Sequence, residues 1–111
     1  MSTQPFVPQG NTVAVTPTTT SSATAIGNVG GFSPGGVRVN NQTGTTVFIA
    51  FVGAGGTVTI PVPGTPANGI PITASQVEVY TATGGSPLYV ACILASGTAS
   101  GSIYFTPGEG V

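Results

Sequence analysis

From residue 36 to the C-terminus, apolar and polar residues alternate in short runs that are separated by Gly, Pro and Asn. This pattern is typical of β-strands, because successive side chains of a strand point to opposite faces of a sheet. No window of the chain repeats apolar residues at the helical spacing of i, i+3, i+4 and i+7. About seven to nine short strands predict an all-β, single-domain antiparallel β-sandwich or jelly-roll-like barrel.

The runs also predict local pairing. The segments "VRVNN" (37–41) and "TTVFIAFV" (45–52) flank the turn "NNQTGT", so we expect them to form a β-hairpin. The run "TVTIPV" (57–62) is expected to be a strand of its own, and the tail "PGEGV" (107–111) is expected to leave the sheet. The order of the strands stays open.

Alternation within each run predicts which side chains face the core. In "QVEVYTA" (76–82), Val77 and Val79 are expected to face inward and Tyr80 outward. The other residues expected inward are Val37, Val39, Val58, Ile60, Val62, Leu88, Val90, Cys92, Leu94, Ile103 and Phe105.

Residues 1–35 differ in composition from the rest of the chain. They are rich in Thr, Ser, Pro and Gly, and their prolines are incompatible with a helix across most of the segment. Within them, "TVAVT" (12–16) can form an edge strand with Val13 and Val15 inward. We therefore expect an extended N-terminal arm over 1–35, either ordered on neighbouring subunits or, as the alternative, disordered or docked locally, and a β-sandwich domain over 36–111.

Charged residues make up only 3% of the 111 residues, namely Arg38, Glu78 and Glu109. Nucleic-acid binding draws most of its affinity from Lys and Arg, so one Arg argues against DNA or RNA as a partner. The chain has neither a basic patch nor an apolar run of about 20 residues, so we expect no membrane partner. The N-terminus carries no signal-peptide pattern, so we expect synthesis in the cytoplasm.

The side chains that catalysis requires are scarce. The chain has no His, and Glu78 and Glu109 are its only carboxylates, so Ser and Thr hydroxyls have no evident base. Cys92 is the single cysteine and lies among apolar residues, as a buried hydrophobic residue would. We therefore expect no catalytic, cofactor-binding or metal-binding residues, and a protein that is not an enzyme.

Two runs, "TTVFIAFV" and "LYVACILA", are apolar on both faces, which raises the question of what covers the second face. Exposing each large side chain would forfeit about 1.5–3 kcal/mol, so we expect neighbouring subunits, or the arm, to cover it. The tyrosines are expected to face outward, as ordinary surface residues, an interface or a sugar-binding stripe. The residues expected at an interface are Phe6, Val13, Val15, Phe48, Val52, Tyr80, Tyr89, Ile93 and Tyr104.

A family resemblance rests on three stretches of residues 36–111: "GGVRVNNQTGTTVFIAFV", "GIPITASQVEVYTA" and "LYVACILASGTASGSIYFTPGEGV". They resemble a group of small virion proteins of tailed bacteriophages. The positions that carry the resemblance are Arg38, Asn40, Phe48, Ala50, Glu78 and the "TPGEG" motif.

The resemblance implies a non-enzymatic structural protein on the capsid surface of the virion. Such proteins are similar to head decoration, or cement, proteins, which are small β domains, commonly homotrimeric, that tie major capsid protein subunits together. A structural component of the neck or tail is the nearby alternative. A host-surface carbohydrate-binding module that uses the tyrosines is a second alternative, from a different functional class.

Overall fold

The computed structural model describes residues 7–8, 11–26, 35–81 and 89–109. Within these residues the chain forms nine β-strands and no helix. The strands are β1 (Val7–Pro8), β2 (Val13–Val15), β3 (Ser22–Ala25), β4 (Gly35–Asn41), β5 (Val47–Val52), β6 (Ile70–Ile72), β7 (Val77–Thr81), β8 (Tyr89–Leu94) and β9 (Ile103–Glu109).

The strands form two antiparallel sheets. The five-stranded sheet has the order β1-β9-β4-β7, with β2 also paired to β9, and the four-stranded sheet has the order β3-β8-β5-β6. Strand β4 pairs with β9, and β5 pairs with β8, so the second pair lies between the members of the first pair in the sequence. The predicted all-β, antiparallel β-sandwich is confirmed.

One hydrophobic core lies between the sheets. Phe105, Ile103 and Val37 from the five-stranded sheet pack with Ile49 and Cys92 from the four-stranded sheet, and all are 0% exposed. This burial confirms the alternation predicted for β4, β8 and β9. Of the other residues expected inward, Val39, Val90 and Leu94 are also buried, and Leu88 lies outside the described residues.

Strands β4 and β5 lie in different sheets, so the predicted hairpin between them is wrong. The turn that joins them is bonded to the interior. Asn41 Oδ1 accepts hydrogen bonds from the backbone N–H and the hydroxyl of Thr43, at 3.0 and 2.6 Å. The Asn41 amide donates to the carbonyls of Thr45 and Ile72. A turn held in this way carries the chain across the core instead of back along β4.

The inward and outward residues of β7 are the reverse of the prediction. Tyr80 lies opposite the fully buried Val37 and packs against the core. Val77 lies opposite Asn40 on the outer face and is 46% exposed, and Val79 shares that face. Directly opposite residues of an antiparallel pair share a face, so the register with β4 decides the orientation of β7.

Strand β9 extends further than expected. Pro107 lies opposite Val37, and Glu109 lies opposite Gly35, so the first part of the tail "PGEGV" stays in the sheet. Proline lacks the N–H group that a ladder requires, but it tolerates the extended backbone of a strand. Residues 110–111 lie outside the described residues.

The run at 57–62 is not a strand, apart from an isolated bridge between Val62 and Thr65. Val58 is buried as expected, at 3% exposure, but Ile60 is only half-buried and Val62 is 54% exposed. The segment lies against the outer face of the four-stranded sheet, because Val58 clusters with residues of that face. It therefore covers a sheet instead of extending one.

The N-terminal segment contributes β1 and β2 to the five-stranded sheet and β3 to the four-stranded sheet. Strand β2 pairs with β9 at the edge of the five-stranded sheet, with Val15 buried, as predicted for "TVAVT". Strand β3 pairs with β8 in the four-stranded sheet, which the sequence did not predict. Residues 11–26 therefore pack within the sandwich of their own chain, and residues 1–6, 9–10 and 27–34 lie outside the described residues.

Candidate interaction surface

The second face of the four-stranded sheet is covered in large part by its own chain. Val58, from the connection between β5 and β6, packs with Ala50 of β5 and Ala91 of β8, and these three residues are 3%, 4% and 0% exposed. Small alanine side chains at the centre of the face leave space for this connection to approach. The second apolar face of "TTVFIAFV" and "LYVACILA" therefore forms, with Val58, a second and smaller core.

Hydrogen bonds fix the covering connection in place. The Val58 N–H donates to the Ser21 hydroxyl oxygen at 3.0 Å, which ties the connection to the N-terminal segment. Asn68 accepts from the Thr59 N–H at 2.9 Å and donates to the Thr57 carbonyl at 2.9 Å. Gly69 has no Cβ, and one placed there would lie 2.6 Å from the Thr59 carbonyl oxygen. The close approach therefore requires glycine.

Three residues expected at an interface lie on this smaller core. Phe48, Val52 and Ile93 are half-buried and pack against the cluster around Val58. Tyr89 lies opposite Val52 and shares the same face, also half-buried. The chain itself already removes much of the area of these side chains from water. The expectation that a partner must cover them therefore has little physical support.

The predicted interface residues of the N-terminal segment lie on the inner side of the sandwich. Val15 is buried in the main core and Val13 packs partly against it. Phe6 lies outside the described residues.

The three tyrosines lie on three different surfaces. Tyr80 faces the core, with its ring centroid 6.3 Å from that of Phe51 at a tilt of 54°. Burial, and to a smaller extent the Glu78 carboxylate, raise the pKa of Tyr80. Tyr89 lies on the outer face of the four-stranded sheet, whereas Tyr104 lies on that of the five-stranded sheet. The expectation that all three face outward is wrong, and they form no continuous stripe.

The outer face of the five-stranded sheet is the strongest candidate for an interaction surface. We call it the A face and define it by the outward side chains of β2, β4, β7 and β9: Ala14, Arg38, Asn40, Val77, Val79, Tyr104 and Thr106. It carries two of the three large hydrophobic side chains that are exposed in the described part of the chain, Val77 and Tyr104, at 46% and 37% exposure.

The register arranges the A face in two rows across the strands. Asn40 lies opposite both Val77 and Tyr104, which gives a row with a polar centre and apolar flanks. In the next row, Arg38 lies opposite Val79 and Thr106. Arg38 is exposed, and neither of these neighbours carries a charge that could neutralise it. Tyr and Arg are, with Trp, the residue types that most often dominate protein–protein binding energy.

The A face offers contact surface instead of reactive groups. Elsewhere, burial raises the pKa of the Cys92 thiol to about 12, so the nucleophilic thiolate is disfavoured. In the described part of the chain, no three His, Cys, Asp or Glu side chains lie together as metal ligands would.

Sequence reasoning found Tyr104 but missed most of the A face. Val77 and Val79 were predicted to lie in the core. Alternation with two valines in "VRVNN" does predict an outward face for Arg38 and Asn40, but neither residue was expected at an interface.

Comparison with known proteins found no matching family model, no matching curated protein and no matching solved structure. Over the described residues, no helix is long and apolar enough to cross a membrane. The residues and their geometry therefore carry the functional argument.

Proposed function

We propose that this chain is a non-enzymatic structural protein of a tailed-phage virion, a decoration protein that binds the major capsid protein through the A face. The observation that carries the proposal is the A face itself. It is a sheet surface on which Tyr104, Val77 and Arg38 are exposed together on central and edge strands.

The rigidity of this surface supports a binding role. Strand β4 is paired along its length with β9 on one side and with β7 on the other, so Arg38 and Asn40 project from a fixed backbone. A preorganised backbone loses little conformational entropy on binding, which leaves more of the contact energy for affinity. A structural protein that must stay attached to a particle benefits from such a surface.

The charge of the chain supports the same role. With a net charge of −1, neighbouring copies repel each other weakly and can be crowded together on one particle. The resemblance of residues 36–111 to small phage virion proteins supports a phage virion as that particle. Copies of this chain, commonly three in such proteins, would then meet around shared sites on the capsid surface.

A carbohydrate-binding role has less support. The sugar-binding stripe expected from the sequence requires exposed aromatic faces that lie near one another. Tyr80, Tyr89 and Tyr104 project from three separate surfaces. A glycan array tests this alternative directly, and a specific signal there would favour a host-surface module.

Quantitative mass spectrometry of purified virions tests the proposal. The virions are those of the phage whose genome encodes this chain, and the major capsid protein in the same sample is the internal standard. We expect hundreds of copies per particle. A dozen or fewer copies would place the protein in the neck or tail, and absence from the virion would refute the structural role.

A further inference from the structure

Residues 11–26, which we call the ribbon, add one strand to each of the two sheets. Its strand β2 lies along β9, with Ala14 opposite Tyr104. Its strand β3 lies along β8, with Ser22 opposite Cys92. The ribbon therefore crosses from one sheet to the other and completes the sandwich along one side.

The ribbon packs mainly against the remainder of the chain. Val15 and Ile26 are buried in the main core, at 7% and 1% exposure. The Leu94 N–H donates to the Thr18 carbonyl at 2.8 Å, and the Val58 N–H donates to the Ser21 hydroxyl oxygen at 3.0 Å. Each of these partners lies far from the ribbon along the chain. We call the place beside β9 and β8 that the ribbon occupies the slot.

The ribbon is joined to β4 by the stretch "GNVGGFSP" at residues 27–34. A chain of eight residues between Ile26 and Gly35 spans at most about 30 Å when extended. The two shorter dimensions of the molecule are 27 Å each. An extended linker is therefore about as long as the displacement between two copies that pack side by side along a short dimension.

We propose that the ribbon exchanges between copies of this chain, so that residues 11–26 of one copy fill the slot of its neighbour. The contacts of the ribbon are the same whether the slot belongs to its own copy or to another, because every partner residue is identical. Strands β2 and β3 carry no charged side chain that would oppose pairing with another copy.

Concentration decides between the two arrangements. A short linker holds the ribbon near its own slot at an effective concentration in the millimolar range. At about 10 µM protein, exchange should therefore involve about 1% of the copies, and at about 1 mM it should involve about half. Crowding on a particle favours exchange, but the proposal does not depend on the virion role and is tested on the purified protein.

The pair Ser22 and Cys92 provides the test, because directly opposite residues of a strand pair lie within disulfide range. One variant carries Ser22→Cys with Cys92→Ala, so its only thiol is on the ribbon. It is mixed with a mass-tagged wild-type chain, whose only thiol is Cys92 in the slot. A disulfide between the two chains can form at this pair only when the ribbon of one occupies the slot of the other.

The mixture is held just below its unfolding temperature at 10 µM and at 1 mM, cooled, oxidised and separated on a non-reducing gel. We expect the mixed disulfide to increase at least tenfold between the two concentrations. The matched control replaces Ser22→Cys with Thr19→Cys, an exposed ribbon position that does not lie opposite Cys92. The control should give no mixed disulfide.

A second variant shows whether the pair can form at all. Ser22→Cys alone, in a chain that retains Cys92, should form an intramolecular disulfide in dilute solution. If this intramolecular bond forms and the mixed disulfide stays absent at 1 mM, the ribbon is committed to its own chain and the proposal is wrong. Equal yields from the Thr19→Cys control would refute it as well, because disulfide formation would then be unspecific.

Discussion

The side-chain amide of Asn41 donates a hydrogen bond to the backbone carbonyl of Ile72 at 2.8 Å, across 31 positions of the sequence and inside the core. The same amide donates to Thr73 and Thr45, and its oxygen accepts from Thr43. Asn41 therefore joins the end of β4 to the turn that follows it and to the end of β6. In the described residues, no buried side-chain polar atom lacks a partner.

Replacing Asn41 should strongly destabilise the fold. Asn41→Ala leaves the buried N–H of Thr43 without its acceptor and removes a donor from the Ile72 carbonyl, and an unsatisfied buried group costs about 1–3 kcal/mol. We expect the free energy of unfolding to fall by about 3 kcal/mol in urea titrations followed by circular dichroism. The matched control is Asn40→Ala, whose side chain accepts an exposed hydrogen bond from Gln42 at 2.7 Å. A loss for Asn41→Ala as small as that of the control would contradict the role of Asn41.

Two valines of the covering connection should behave differently. Val58→Ala removes buried methyl groups from the smaller core and should lower the free energy of unfolding by about 2 kcal/mol. It should also increase the binding of a hydrophobic dye, because the outer face of the four-stranded sheet becomes more accessible. Val62→Ala lies in the same connection but at an exposed position, and should change stability by less than about 0.5 kcal/mol. Equal effects would show that the connection does not cover the sheet.

The Cys92 thiol should make stability depend on alkaline pH. Burial raises its pKa from 9.0 to about 12, so the folded state keeps the proton to a higher pH than the unfolded state does. This contribution is fully present below about pH 9 and is lost as the pH rises from 9 towards 12, with a slope of at most about 1.4 kcal/mol per pH unit. Cys92→Ala should flatten the dependence of the urea midpoint between pH 9 and 11. The raised pKa of Tyr80 acts in the same direction and remains in the variant.

The same burial should protect Cys92 from alkylation. At pH 8, iodoacetamide should leave the folded protein unmodified and should label it within minutes in urea, as read by intact mass. Rapid labelling of the folded protein would mean that the region around β8 opens readily.

The A face should contribute to binding without contributing much to stability. Tyr104→Ala removes an exposed ring and should shift the free energy of unfolding by less than about 1 kcal/mol. If the A face binds the capsid, the same change should weaken binding to particles that lack this protein by at least tenfold, as measured by co-sedimentation. Tyr80→Phe is the matched control, since its ring packs inside the sandwich and binding should not change. Undiminished binding by Tyr104→Ala would move the interface elsewhere.

Much of the architecture could be predicted from local alternation. "SIYFT" and "VRVNN" each carry one strictly apolar set, so Ile103, Phe105, Val37 and Val39 had one possible inward face. "QVEVYTA" carries apolar side chains on both sets, and there the prediction failed. The same error affected the prediction of the A face, because Val77 was expected in the core and is exposed on that face.

The sequence by itself determined an all-β chain with few charges and a core of alternating residues, because strand periodicity and turn residues act over a few positions. The tertiary structure decided which strands pair, which face of β7 is inward, and that Val58 covers the sheet face for which a covering partner was predicted. Pairs such as Asn41 with Ile72 and Val58 with Ala91 join distant positions. Their formation depends on the simultaneous fit of both sheets, which no short segment of the sequence can specify.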